Sequence, residues 1–89
     1  MDGPSIEAIK AELFIASSVA LPTHAQTALD LGEAVSELKV GLMVLTKTTT
    51  NDAVEKMIGN LDAAVDALMS CQESLSGAAG DAEEATRLM

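Results

Sequence analysis

Two segments of the chain carry apolar residues at alternating steps of four and three, and a short polar segment separates them. The first repeat consists of Leu31, Val35, Leu38, Leu42 and Leu45. The second repeat consists of Val54, Ile58, Leu61, Val65, Leu68, Gln72 and Leu75. This spacing places each set along one face of an α-helix, as in a coiled coil. The residues that we expect to form the buried core on these faces are Leu31, Leu38, Leu42, Leu45, Val54, Leu61 and Leu68. Because residues 46–52 are all polar, the repeats predict two antiparallel helices joined by a turn.

A shorter repeat predicts a further helix near the N-terminus. Its apolar members are Ile6, Ile9, Leu13, Ala16 and Ala20. Pro22 disfavours the α conformation of the residue before it, so we expect this helix to end there. Thr23 and Gln26 have the spacing of a capping box, which predicts that a new helix begins at this point. The expected fold is an all-α three-helix bundle, an antiparallel hairpin with a shorter N-terminal helix, with helices over residues 4–20, 23–47 and 52–76.

The chain length of 89 residues predicts a single domain. Gly77 is a typical residue to follow a helix end, so we expect the bundle to occupy residues 1–77 and a flexible acidic tail to occupy residues 78–89. A domain of this size has a small core and often requires a partner. Its mean hydropathy of +0.27 is high for so short a chain, which favours an oligomer or a permanent partner.

The charge of the chain limits the classes of partner. The 14 acidic and 5 basic side chains give a net charge of −9, which repels nucleic-acid phosphates and anionic lipids. A basic protein surface is the favoured partner, although the same charge also serves simply to keep an Ala-rich bundle soluble. The longest apolar segment, residues 13–21, is shorter than the roughly 20 residues of a membrane span. The acidic N-terminus lacks the basic region of a cleavable signal peptide.

No set of side chains predicts catalysis. His24 is the only histidine, and we expect it to be exposed on the first turn of a helix. Cys71, the only cysteine, lies on the predicted apolar face, where we expect it to be a small core residue. One histidine and one cysteine do not form a four-ligand zinc site. Asp62 and Asp66 lack the Glu-x-x-His pairs of dimetal helical bundles. We therefore expect no enzymatic activity, no cofactor and no metal.

A second apolar row lies outside the main repeats and is the predicted interaction surface. Its members are Ile15, Val19, Val40, Met43 and Val44. We interpret the chain as a non-enzymatic assembly or adaptor protein that associates with itself or with a protein partner through apolar helix faces. One alternative is a small acidic inhibitor or mimic that occupies a basic groove.

The length, the acidity, the near-central turn and the expected loose C-terminal tail together resemble the small helical-hairpin proteins exported by type VII secretion systems. The Trp-X-Gly turn of that family is absent, and residues 48–51 occupy its place. The Tyr-containing C-terminal export signal is also absent, and Pro22 interrupts an arm that is one long helix in the family. The resemblance implies a helical hairpin exported without a cleavable signal peptide, which is the other alternative. From composition alone we expect a cytoplasmic protein.

Overall fold

The computed structural model describes residues 5–49 and 51–89, and the regular structure in these residues is entirely helical. Helix α1 comprises Ile6–Ile15, a π-helical turn comprises Ala16–Ala20, and helix α2 comprises Leu21–Thr46. These three segments are continuous and form the first arm. Helix α3, Asp52–Leu88, forms the second arm and packs antiparallel to the first in a molecule 65 Å long and 22 × 18 Å across. The prediction of an all-α chain with two long packed helices is confirmed, but the described residues form two arms and not three.

Side-chain caps define where both arms begin. The Ser5 hydroxyl accepts a hydrogen bond from the Ala8 amide at 3.1 Å, so α1 begins at Ile6. The predicted start at residue 4 lies outside the described residues. The carboxamide oxygen of Asn51 accepts from the Val54 amide at 3.0 Å, which fixes the start of α3 directly after the turn.

The first arm continues through Pro22, so the helix boundary and the capping box predicted there are wrong. Proline lacks an amide hydrogen and crowds the carbonyl four residues earlier, which normally kinks or ends a helix. Here Pro22 is the second residue of α2, one residue beyond the π-helical turn, where the backbone hydrogen bonding is already altered. Hydroxyl groups supply donors to nearby carbonyls, because Ser18 Oγ donates to Phe14 O and Thr23 Oγ1 donates to Val19 O at 2.6 Å. Thr23 therefore lies inside the helix and does not cap it.

Helix α3 passes through Gly77 and continues to Leu88, so the predicted helix end near residue 76 is wrong. The heptad of α3 continues beyond Leu75 in the half-buried residues Ala79, Ala82 and Thr86. This last part of α3 packs against α1 and the π-helical turn. The predicted tail is thus helical up to Leu88, because its continued heptad has the start of the first arm to pack against.

The seam between the two arms is built around small residues. The buried residues of the described chain are Ala25, Ala28 and Gly32, all in α2. A Cβ added at Gly32 would lie 3.7 Å from Leu68 Cβ of α3, which is ordinary van der Waals contact, so the two arms lie close together at this level. Four of the predicted core residues are half-buried, namely Leu42, Val54, Leu61 and Leu68.

The remaining core leucines are predicted wrongly. Leu31, Leu38 and Leu45 are 51%, 55% and 78% exposed and lie beside the seam. The π-helical turn explains this register, because it contains one residue more than an α-helical turn and each residue rotates the helix by about 100°. An uninterrupted α-helix that continued the seam positions Leu13 and Ala20 would direct all three leucines at α3. The extra residue moves them to one side.

Candidate interaction surfaces

The hairpin encloses almost no apolar interior. Its buried apolar side chains are those of two alanines, and no large apolar side chain among the described residues is buried. The large side chains of the seam are only half-buried, and many others are exposed on both arms. The candidate functional features of this molecule are therefore its surfaces.

The predicted interaction residues are all exposed in the structure: Ile15, Val19, Val40, Met43 and Val44. The structure does not bring them together. Ile15 and Val19 lie at the π-helical turn, whereas the other three lie near the end of α2. With a rise of about 1.5 Å per residue, the two groups are more than about 30 Å apart along the same arm. Their role in association stays a prediction.

Carboxylates surround the second of these groups. Val40 lines a shallow groove together with Glu33 and Glu37. Met43 lines another groove that contains Glu55 and Asp62 of α3. An apolar partner that covered this row would therefore also have to cover or neutralise acidic side chains.

These acidic residues belong to one side of the hairpin, which we call the acidic side. Three surface grooves on this side contain residues of both arms and so show which residues are neighbours. One groove contains Phe14 and Glu83, the next contains Leu29 and Met69, and the third contains Met43 and Asp62. The Lys39 ammonium also bridges the arms by an ion pair with Asp62 at 2.5 Å. The helical spacing directs Asp30 of α2 and Lys56 of α3 away from the seam. The charged residues on the acidic side are Glu33, Glu37, Lys47, Glu55, Asp62, Asp66, Glu73, Glu83 and Arg87.

The opposite side of the seam carries no charged side chain over most of its length. We call it the uncharged face and define it by Leu31, Ala34, Leu38, Gly41 and Leu45 of α2 with Met57, Asn60, Ala64, Ala67 and Cys71 of α3. Positions that share this face by the seven-residue spacing contain no Asp, Glu, Lys or Arg within residues 24–48 and 53–78. This face was not predicted from the sequence, because its leucines were expected in the core.

The two residues considered for chemistry are both exposed. His24 is exposed inside the first arm and not on its first turn, and the thiol of Cys71 is free and exposed, so the predicted core position of Cys71 is wrong. Exposure follows from the position of Cys71 beside the seam. Among residues 5–49 and 51–89, no three His, Cys, Asp or Glu side chains converge as a metal ion would require.

Comparison with protein-family models, with curated proteins and with solved structures finds no match for this chain. None of the helices in the described part of the chain is both long and apolar enough to cross a membrane.

Proposed function

We propose that this protein is a non-enzymatic assembly or adaptor module that packs apolar helix faces against another protein chain. The observation that carries the proposal is the near absence of an interior. Ala25, Ala28 and Gly32 are the buried residues of the described chain. Small domains already bury a low fraction of their surface, and a two-helix hairpin buries less than a bundle of the same length. Association supplies the missing burial, because apolar surface leaves water when a second chain covers it.

The heptads support the same proposal. Both arms carry apolar side chains beside the seam as well as in it, as Leu38 and Met57 illustrate. A helix that is apolar over so wide a stripe is typical of a multi-helix bundle and not of an isolated pair. A further hairpin or a partner helix would complete such a bundle.

Hydrogen exchange on the dilute chain tests this function. The chain is held at a concentration where light scattering gives the mass of one copy, and amide exchange is followed by mass spectrometry. We expect fast exchange throughout, because a lone hairpin has no buried core to protect its amides. A monomer with a block of strongly protected amides in both arms would be stable by itself and would contradict the proposal. It would favour the free acidic inhibitor instead.

One observation favours a second candidate, an exported hairpin of the type VII kind. The first arm is a single helical arm through Pro22, which is the form that the resemblance implies. The absent Trp-X-Gly turn and Tyr-containing signal still separate this sequence from that family. A secretion ATPase encoded next to this protein would support export, and unrelated neighbouring genes would count against it.

A further inference from the structure

We infer that the uncharged face is the docking site for a second copy of this chain, and that two hairpins stack there to form a four-helix bundle. The inference rests on the proposed function and names the partner. The observation behind it is the separation of charge across the seam. Leu31, Leu38 and Leu45 share a face that contains no Asp, Glu, Lys or Arg, while carboxylates occupy the other side.

The charge separation selects the second copy as the occupant. Two chains of net charge −9 repel each other unless their charged groups point apart. Stacking through the uncharged face turns both acidic sides outward and leaves no carboxylate in the interface. A partner recognised by basic side chains gains nothing at this face, because it meets no acid there. The face therefore fits a surface that is equally uncharged, and each copy presents one of matching length.

The side-chain sizes fit a two-fold axis parallel to the helices. Such an axis places the first arm of one copy over α3 of the other, with all neighbouring helices antiparallel. Gly32 lies opposite Leu68 across the seam, so positions whose numbers sum to about 100 share a level along the hairpin. Leu38 of one copy then lies over Ala64 of the other, and Leu31 over Cys71. Large side chains thus meet small ones at these two levels, and at a third level Leu45 meets Met57, whose unbranched side chain adapts to the space available.

The available area suits a stable dimer. The part of α2 that carries the uncharged face, residues 24–46, is about 34 Å long at a rise of about 1.5 Å per residue. Two helices side by side are about 20 Å wide, since packed helix axes lie about 8–10 Å apart. The face therefore offers roughly 700 Å² per copy and roughly 1,400 Å² in total, which is close to the standard size of a specific interface.

A matched pair of substitutions tests the docking site. Leu38 on the uncharged face and Val44 outside it are 55% and 61% exposed, so Leu38→Glu and Val44→Glu place a charge at equally accessible positions of the same helix. Light scattering is expected to give twice the chain mass of 9.2 kDa for the wild type and for Val44→Glu, and the single-chain mass for Leu38→Glu. If Leu38→Glu stayed dimeric and Val44→Glu became monomeric, the uncharged face would not be the docking site.

The native thiol gives a second measurement that needs no substitution. Cys71 is exposed in the single hairpin and lies on the uncharged face. Its alkylation by iodoacetamide is expected to slow about tenfold or more as wild-type protein is concentrated a hundredfold through the dimer transition, while the rate in urea stays constant. A dimer whose thiol reacts at an unchanged rate uses another face. If the wild type stays monomeric at every concentration and its amides are weakly protected, a second copy does not dock on this face. That result leaves the proposed function in place.

Discussion

At the scale of single residues, size decides which side chains enter the seam. Ala25, Ala28 and Gly32 let the arms approach, and bulkier leucines of the same helix lie at the side. On α3 the larger Leu68 lies opposite Gly32 and fills the space beside it. Because the seam residues are mostly half-buried, each contributes less to stability than a leucine in a closed core.

Leu61→Ala is expected to lower the free energy of unfolding by about 1–3 kcal/mol, below the usual upper range because the side chain is only half-buried. The measurement is urea denaturation followed by circular dichroism at one protein concentration. Val44→Ala is the control, since this exposed side chain on the charged side should cost less than about 0.5 kcal/mol. Equal losses in the two variants would show that Leu61 does not pack in the seam.

Residue patterns predict the α3 seam and the polar turn, because each depends on local chemistry. The same patterns give the wrong position for Leu31, Leu38 and Leu45 in the first arm. Those leucines share a perfect heptad with Val35 and Leu42, which do lie at the seam. Hydrophobicity alone favours the leucine row over the neighbouring row of alanine and glycine. The close approach that selects the smaller residues is a property of the pair of helices, so it is not visible in one of them.

At the scale of the helices, the π-helical turn Ala16–Ala20 sets the register of the first arm. The seam residues Ala20 and Ala25 are five residues apart, one more than the three or four that a heptad allows. The extra residue of the π-helical turn absorbs this difference, so the seam residues before and after the turn lie on the same face. Pro22 alone predicts a break. The hydroxyl residues Ser18 and Thr23 beside it are the local signal of a tolerated proline, because such side chains bond to carbonyls of the preceding turn.

Deletion of Ser18 together with Pro22→Ala is expected to leave the thermal midpoint within a few degrees of the wild type. The deletion converts the π-helical turn into an α-helical turn and makes the heptad of the first arm continuous, while the substitution removes the ring that needs the wider turn. Deletion of Ala34 is the control, because it rotates the two parts of α2 by about 100° against each other without a π turn to absorb the change. If the Ala34 deletion kept the thermal midpoint of the wild type while the Ser18 deletion lost its folded structure, the π-helical turn would not set the register.

At the scale of the whole molecule, the charged residues lie mainly on one side, and much of the apolar surface stays exposed. The arms are joined by one ion pair among the described residues, Lys39 with Asp62, and carboxylates crowd the acidic side. Composition predicts an acidic chain with surplus apolar surface. It does not predict which face stays uncharged, since that depends on the register set by the π-helical turn.

Raising sodium chloride from about 20 to about 500 mM is expected to raise the thermal midpoint, because salt screens repulsion among the carboxylates more than it weakens one ion pair. Asp66→Asn, which removes one charge from the acidic side, should raise the midpoint at low salt and reduce the salt effect. A midpoint that falls with added salt would mean that ion pairs, and not repulsion, dominate the electrostatics of this fold.

We propose above all that the hairpin obtains from a second chain the stability that its own interior does not supply. The most direct test is the thermal midpoint of the wild type over a hundredfold dilution. For a dimer, that dilution changes the free energy of association by about 2.7 kcal/mol per pair of chains, so the midpoint should fall by several degrees. A midpoint that is high and independent of concentration would show that one hairpin is stable alone, and it would contradict the claim.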